Sequence, residues 1–174
     1  MEKRLVEIKA KCRDLNAVRE KLVSNGAVYV GVFHQIDTYF LIGEMRLKLR
    51  EIEGDREAKL VYYIRENIPG PKVSNIIIVN IAEGDKLKKI LSDVLGVKVI
   101  VDKKREIYRY QGVKIHLDEV KDLGTFIEFE MEVSKGFEDE GRKHLEKLME
   151  ELEIDKSDLI SGSYSDLLQS KSAS

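Results

Sequence analysis

In the stretch Ile127-Glu128-Phe129-Glu130-Met131-Glu132 every second residue is a glutamate and every residue between is large and apolar. Side chains two apart on a β-strand share a face, so this segment is expected to form a strand with one acidic and one apolar side. Four more stretches follow the same rule with charges of both signs: Glu7-x-Lys9-x-Lys11, Arg46-x-Lys48-x-Arg50, Lys103-x-Arg105 and Lys114-x-His116-x-Asp118. Their apolar sides carry Val6, Ile8, Leu47, Leu49, Ile115 and Leu117. The fold turns on which way the charged sides point.

An ordinary antiparallel sheet turns such faces to water. The helices argue otherwise. Leu15/Val18/Leu22, Leu87/Ile90/Leu91/Val94/Leu95 and Leu145/Leu148/Met149/Leu152 fall at helical spacing and form three amphipathic stripes. Each stripe needs an apolar partner, and the hydrophobic side of the strands is the large one available. If helices cover the outside of a curled sheet, the charged faces turn inward and line a polar, water-filled tunnel. A mixed acid and base lining of that kind suits a polyanion accompanied by a divalent metal.

The order of elements fits this arrangement. A strand at about 4 to 12 precedes Asp14, a helix N-cap, and a helix closed by Gly26. Extended segments follow at about 27 to 42, 45 to 53 and 57 to 66, the last two joined by the turn Glu53-Gly54-Asp55. After the Pro69-Gly70-Pro71 loop come a strand at about 73 to 81 and a helix at about 84 to 95. Strands at about 97 to 110, 113 to 119 and 125 to 133 and a helix at about 138 to 152 complete the set. The expectation is an α+β fold: an eight-stranded antiparallel closed β-barrel with a polar interior and helices packed outside. Residues 1–169 form one domain, and 170–174 read as a frayed tail.

Composition narrows the function classes. A net charge of -2 argues against broad electrostatic capture of nucleic acid or of an anionic membrane. A nucleic-acid-binding barrel would interleave exposed aromatics with bases, whereas the basic stripes here are matched by acidic ones. The single cysteine, Cys12, excludes an internal disulfide and a cysteine-based zinc site; with no membrane-spanning run, a cytoplasmic protein is expected. Charged residues make up 36% of the chain and tryptophan is absent, a balance that leans toward a thermophilic source.

The charged stripes and their neighbours resemble the CYTH domain of the triphosphate tunnel metalloenzyme superfamily, most of all its class IV adenylate cyclase branch. The resemblance runs through Val6-Glu7-Ile8-Lys9, His34-Gln35-x-Asp37, Leu47-Lys48-Leu49-Arg50-Glu51, Gly70-Pro71-Lys72-x-Ser74, Lys103-Lys104-Arg105, Leu117-Asp118-Glu119-Val120, Leu123-Gly124-x-Phe126-x-Glu128-x-Glu130 and Ser163-Tyr164-Ser165-Asp166-Leu167-Leu168. It implies a small-molecule triphosphate as substrate (ATP, tripolyphosphate or thiamine triphosphate), Mg²⁺ or Mn²⁺ as cofactor, and a homodimer as a plausible assembly. By position it implies that Glu7, Glu128 and Glu130 hold metal. It implies catalytic roles for Lys9, Arg105 and Asp118, and phosphate contacts for Lys9, Lys11, Lys48, Arg50, Arg65, Lys72, Lys103 and Arg105. Hard divalent cations prefer carboxylate oxygens, and guanidinium forks suit phosphate, so the residue types match these roles.

One position departs from the family pattern. Its N-terminal signature is Glu-x-Glu-x-Lys, and alignment on Glu7 and Lys9 puts Leu5 where the first glutamate belongs. Sliding the motif puts Lys9 at the second acidic site instead. Either register loses a carboxylate, which weakens metal binding and favours a catalytically weak binding module as the rival to an enzyme. His116, alone on its strand, and the terminal Ser-Tyr-Ser are read as structural.

Overall fold

The computed structural model describes residues 1–173. Its strands are β1 (Glu2–Lys11), β2 (Val28–Phe40), β3 (Arg46–Ile52), β4 (Ala58–Arg65), β5 (Lys72–Ile81), β6 (Val97–Tyr110), β7 (Val113–Val120) and β8 (Gly124–Glu132). They close into one antiparallel barrel in the order β1-β5-β4-β3-β2-β6-β7-β8. Four helices, α1 (Leu15–Ser24), α2 (Gly84–Leu95), α3 (Glu138–Glu151) and α4 (Tyr164–Ala173), pack against it. Among the described residues no helix is long and apolar enough to cross a membrane.

Local chemistry sets the turns. Asp14 caps α1 by accepting a 3.1 Å hydrogen bond from the Ala17 N–H. Between β6 and β7 both turn residues, Gln111 (φ 50) and Gly112 (φ 76), have positive φ, the backbone whose twist matches that of the flanking strands.

The apolar faces go outward, under helices. Val6, Ile8, Ile115, Leu117, Ile127 and Phe129 from β1, β7 and β8 are buried beneath Leu22 of α1 and Leu145, Leu148 and Met149 of α3. Gly141 lets α3 lie close, because a Cβ there would come within 2.9 Å of Val133 and 3.0 Å of Val6. On the other side α2 sets Leu87, Leu91 and Leu95 against Phe40, Leu49 and Ala58.

A fourth helix was not expected. Residues 163–168, read as a short packing piece, and residues 170–173 of the expected frayed tail belong largely to α4; Ser174 lies outside the described residues. The segment leading to α4 joins the barrel through an Ala10–Leu159 bridge and an Ile160 N–H that donates to the Lys9 carbonyl at 2.9 Å. Ile160, Tyr164, Leu167 and Leu168 then pack with Tyr39, Val101, Val120 and Phe126 and stop one end of the barrel. The apolar spacing of so short a helix is weak because much of what it buries is a barrel mouth rather than a sheet face.

Candidate functional site

The charged faces turn inward, around a cavity of about 480 Å³ inside the barrel, a volume typical of small-molecule sites. Glu128, Glu130, Lys48 and Arg105 all line it. Lys104, of opposite parity to Arg105, is exposed.

Strand register assembles an acidic arm. Glu7 of β1 stands opposite Glu130 of β8, and Glu128 stands between Lys9 of β1 and His116 of β7. Lys9 Nζ lies 3.0 Å from Glu128 Oε2, His116 Nδ1 lies 3.1 Å from Glu128 Oε1, and Arg105 Nη2 approaches the same carboxylate at 3.7 Å. Burial alone would raise the Glu128 carboxyl, but Lys9, Arg105 and His116 hold it well below the usual range. Glu7 behaves in the opposite way. Burial and the neighbouring charges of Glu128 and Glu130 push its carboxyl up, and no hydrogen bond or ion pair reaches it among the described residues.

Basic residues form a second group around an acid that sequence reasoning did not select. Asp37 of β2 is fully buried and accepts two bonds from Arg50 (2.7 and 2.8 Å), one from Lys48 (2.9 Å) and one from Lys103 (2.9 Å). Burial works to raise this carboxyl, yet Arg50, Lys103 and Lys48 together keep it well below its ordinary value. Lys103 is pushed well down by burial, against the pull of Asp37. Three bases around one carboxylate leave cationic capacity for a polyanion and fix where it is presented.

Asp118 does not line the cavity; it is fully buried and holds the Arg105 fork at 2.8 and 2.7 Å. Tyr164 of α4 donates its hydroxyl to Asp118 Oδ2 at 2.6 Å, packs on Phe126, and lays its ring 3.8 Å from Lys9 Nζ. Burial, Asp118 and Glu128 push the Tyr164 hydroxyl well up, so it stays a proton donor. The reading of Ser-Tyr-Ser as pure packing therefore missed a residue that touches both a lysine and the support of an arginine in the site. Only its place in the floor of the barrel marks it.

The remaining basic residues separate. Arg65 lines the cavity and has one guanidinium nitrogen, Nη2, buried without a hydrogen-bond partner among the described residues. Lys72 is committed to the Ile160 and Ser161 carbonyls at 2.9 and 2.8 Å, and burial, with Arg65 and Lys9 nearby, lowers it to about 8. Lys11 stands opposite Phe126 at the end of β1, exposed and outside the cavity lining. The lining is also less uniformly ionic than the stripes suggest: β4 and β5 contribute Val61, Ile76 and Ile78 to it.

The acidic arm suits a divalent cation. One imidazole nitrogen of His116 and one oxygen each of Glu128 and Glu130 lie within 4.8 Å of one another, and Glu7, opposite Glu130, adds a further carboxyl beside them. The arrangement can therefore hold a metal and a phosphate chain side by side.

Known proteins share this architecture. A family model described as CYTH domain matches residues 3–164. A Methanocaldococcus jannaschii protein named "Putative adenylate cyclase" is 31% identical over 180 residues, 93% of this chain and 97% of that one. A solved structure of a Pyrococcus horikoshii OT3 protein superposes with a TM-score of 0.77 at 30% identity, covering 96% of this chain and 99% of the other. Another, titled as a putative adenylate cyclase from Vibrio parahaemolyticus, gives a TM-score of 0.83 at 19% identity, with 96% and 98% covered, and speaks for the fold alone.

Proposed function

The chain belongs to the CYTH domain family, and from that membership we propose that it is a metal-dependent enzyme that converts ATP to cyclic AMP and pyrophosphate inside its tunnel. The observation that carries this reading is the meeting, in one cavity, of the Glu7/Glu128/Glu130 arm with the Lys48/Arg50/Lys103 group. The name of the M. jannaschii relative agrees with it. Glu7, Glu128 and Glu130 would hold Mg²⁺ or Mn²⁺, which would supply charge neutralisation at the phosphate chain.

The chain's own residues do the rest. Lys48, Arg50 and Lys103, prepositioned by Asp37, grip the β- and γ-phosphates and offset the charge that grows on the leaving pyrophosphate. Arg105, braced by Asp118, and Lys9 face the phosphate at the acidic arm. The ribose 3′-hydroxyl oxygen bonds to the α-phosphorus, its proton passes to tunnel water, and the bond to the bridging oxygen breaks in line. The closed floor at Tyr164 leaves entry to the opposite mouth. With one cysteine and no disulfide, a cytoplasmic setting fits.

A triphosphatase needs the same lining, with water in place of the hydroxyl and attack at the terminal phosphorus. Incubation with ATP, tripolyphosphate and thiamine triphosphate, each with Mg²⁺ and with Mn²⁺, separates the two. Cyclic AMP with stoichiometric pyrophosphate is the expected result. Orthophosphate would make the protein a hydrolase, and tight calorimetric binding without product would make it a binding module, the outcome that the leucine at position 5 favours.

A further inference from the structure

Leu5 and His116 change what this tunnel can hold. Leu5 is 3% exposed, lines the cavity and stands opposite Glu132, so no carboxylate is available at its place on the inner wall. Across the barrel, His116 is 3% exposed, lines the same cavity, and has a ring nitrogen within 4.8 Å of oxygens from both Glu128 and Glu130. Its one hydrogen bond, from Nδ1 to Glu128, leaves Nε2 with no partner among the described residues. Glu7, only 9% exposed and with no hydrogen bond among the described residues, stands beside this group on β1, opposite Glu130. A buried imidazole with one nitrogen unspent therefore meets two carboxylates, with a third acid on the neighbouring strand.

We propose that His116 is a metal ligand, so that the tunnel binds its divalent cation through one imidazole nitrogen together with carboxylates of Glu7, Glu128 and Glu130, and prefers Mn²⁺ to Mg²⁺. Mg²⁺ takes oxygen almost exclusively and keeps a near-ideal octahedron of small radius. Imidazole is a better donor to transition metals, whose affinity for nitrogen rises along the first row. A nitrogen in the donor set therefore shifts selectivity toward Mn²⁺ without any change in the charge of the site. Leu5 contributes by removing the oxygen that would otherwise compete with the imidazole.

The inference rests on reading the tunnel as a metal site, and the test keeps the two apart. Mn²⁺ is added to the intact chain without nucleotide and followed by pulsed electron paramagnetic resonance. Protein labelled with ¹⁵N-histidine is compared with unlabelled protein, so the first result needs no substitution. The expected spectrum shows ¹⁴N modulation that becomes ¹⁵N coupling on labelling, persists in His34→Gln and disappears in His116→Gln. The Mg²⁺ excess needed to displace Mn²⁺ should fall by about tenfold in His116→Gln. Mn²⁺ binding that is lost in Glu130→Gln yet shows no nitrogen coupling overturns the ligand assignment and leaves the metal site standing. No glutamate-dependent Mn²⁺ binding overturns both.

Discussion

Removing the Arg105 side chain strands a charge. Asp118 is fully buried and takes two bonds from Arg105, at 2.8 and 2.7 Å; the Tyr164 hydroxyl, at 2.6 Å, is its other partner. Breaking a buried pair from one side costs about 3–5 kcal/mol, because the surviving ion has neither water nor counterion. The Tyr164 bond remains and is worth about 1 kcal/mol. Arg105→Ala is thus expected to lower the unfolding free energy by about 3 kcal/mol. Asp118→Asn should cost somewhat less, since Glu128, 3.7 Å away, still faces the freed guanidinium. The double variant leaves no unpaired ion on either side, so its cost should fall short of the sum of the singles by about 2 kcal/mol. Urea unfolding at pH 7 of wild type, both singles and the double measures this coupling, with Lys104→Ala expected within about 0.5 kcal/mol of wild type. In turnover, Arg105→Ala should also lose the charge-assisted phosphate contact proposed for it, roughly a ten- to hundredfold loss. Additive singles, or equal effects at Lys104 and Arg105, would refute the assignment of faces and the pairing built on it.

Other perturbations probe the remaining parts. Asp166 anchors α4 to Arg46 at 3.0 and 2.8 Å, and although burial opposes ionisation, Arg46 and the Ser163 N–H hold its carboxyl at about 2, against an ordinary 3.8. A depressed acid stabilises the fold above its unfolded value, and that contribution shrinks as the pH falls below 3.8 and is lost as it passes below about 2. With Asp166 about a third exposed the screened magnitude is about 1 kcal/mol, so Asp166→Asn should cost that much at pH 7 and only a small part of it at pH 2 by chemical denaturation. Glu7 is displaced the other way: its ionised form weakens the fold as pH rises through its raised value. Glu7→Gln should therefore raise stability at pH 7 by about 1 kcal/mol in the absence of divalent cations while weakening Mn²⁺ binding by calorimetry; a loss of stability would count against the crowded acidic arm. At the α2 contact a Cβ on Gly84 would lie 2.5 Å from the Ala58 Cβ, so Gly84→Ala should cost about 1–3 kcal/mol, seen as a lower Tm. An unchanged Tm would mean that α2 sits farther from β4.

The alternating stripes made the strands legible because a two-residue period is a local property of the backbone. Helical stripes were legible for the same reason, and their need for cover pointed the charges inward. Within the site, Glu128, Glu130, Lys48, Arg50 and Arg105 follow from parity alone. Lys11 has the right parity and the wrong height: it lies where β1 leaves the barrel, and nothing in a stripe records where a tunnel ends. Asp37 sits two residues from Gln35 and two from Tyr39, all facing in, but a single acid between neutral residues looks no different from a solvated one.

What the chain alone determined is therefore periodic: eight strands, three of the four helices, and which side of each strand carries charge. What only the closed barrel decided is adjacency across strands far apart in sequence. Lys48, Arg50 and Lys103 became one group because closure brought β3 and β6 to either side of β2, and Asp37 is where their charges balance. Tyr164 reached Lys9 and Asp118 because the C-terminal segment had an open barrel end to fill. Periodicity is set by bond geometry between neighbours, whereas these contacts are set by the lowest-energy way of burying charges from distant strands together.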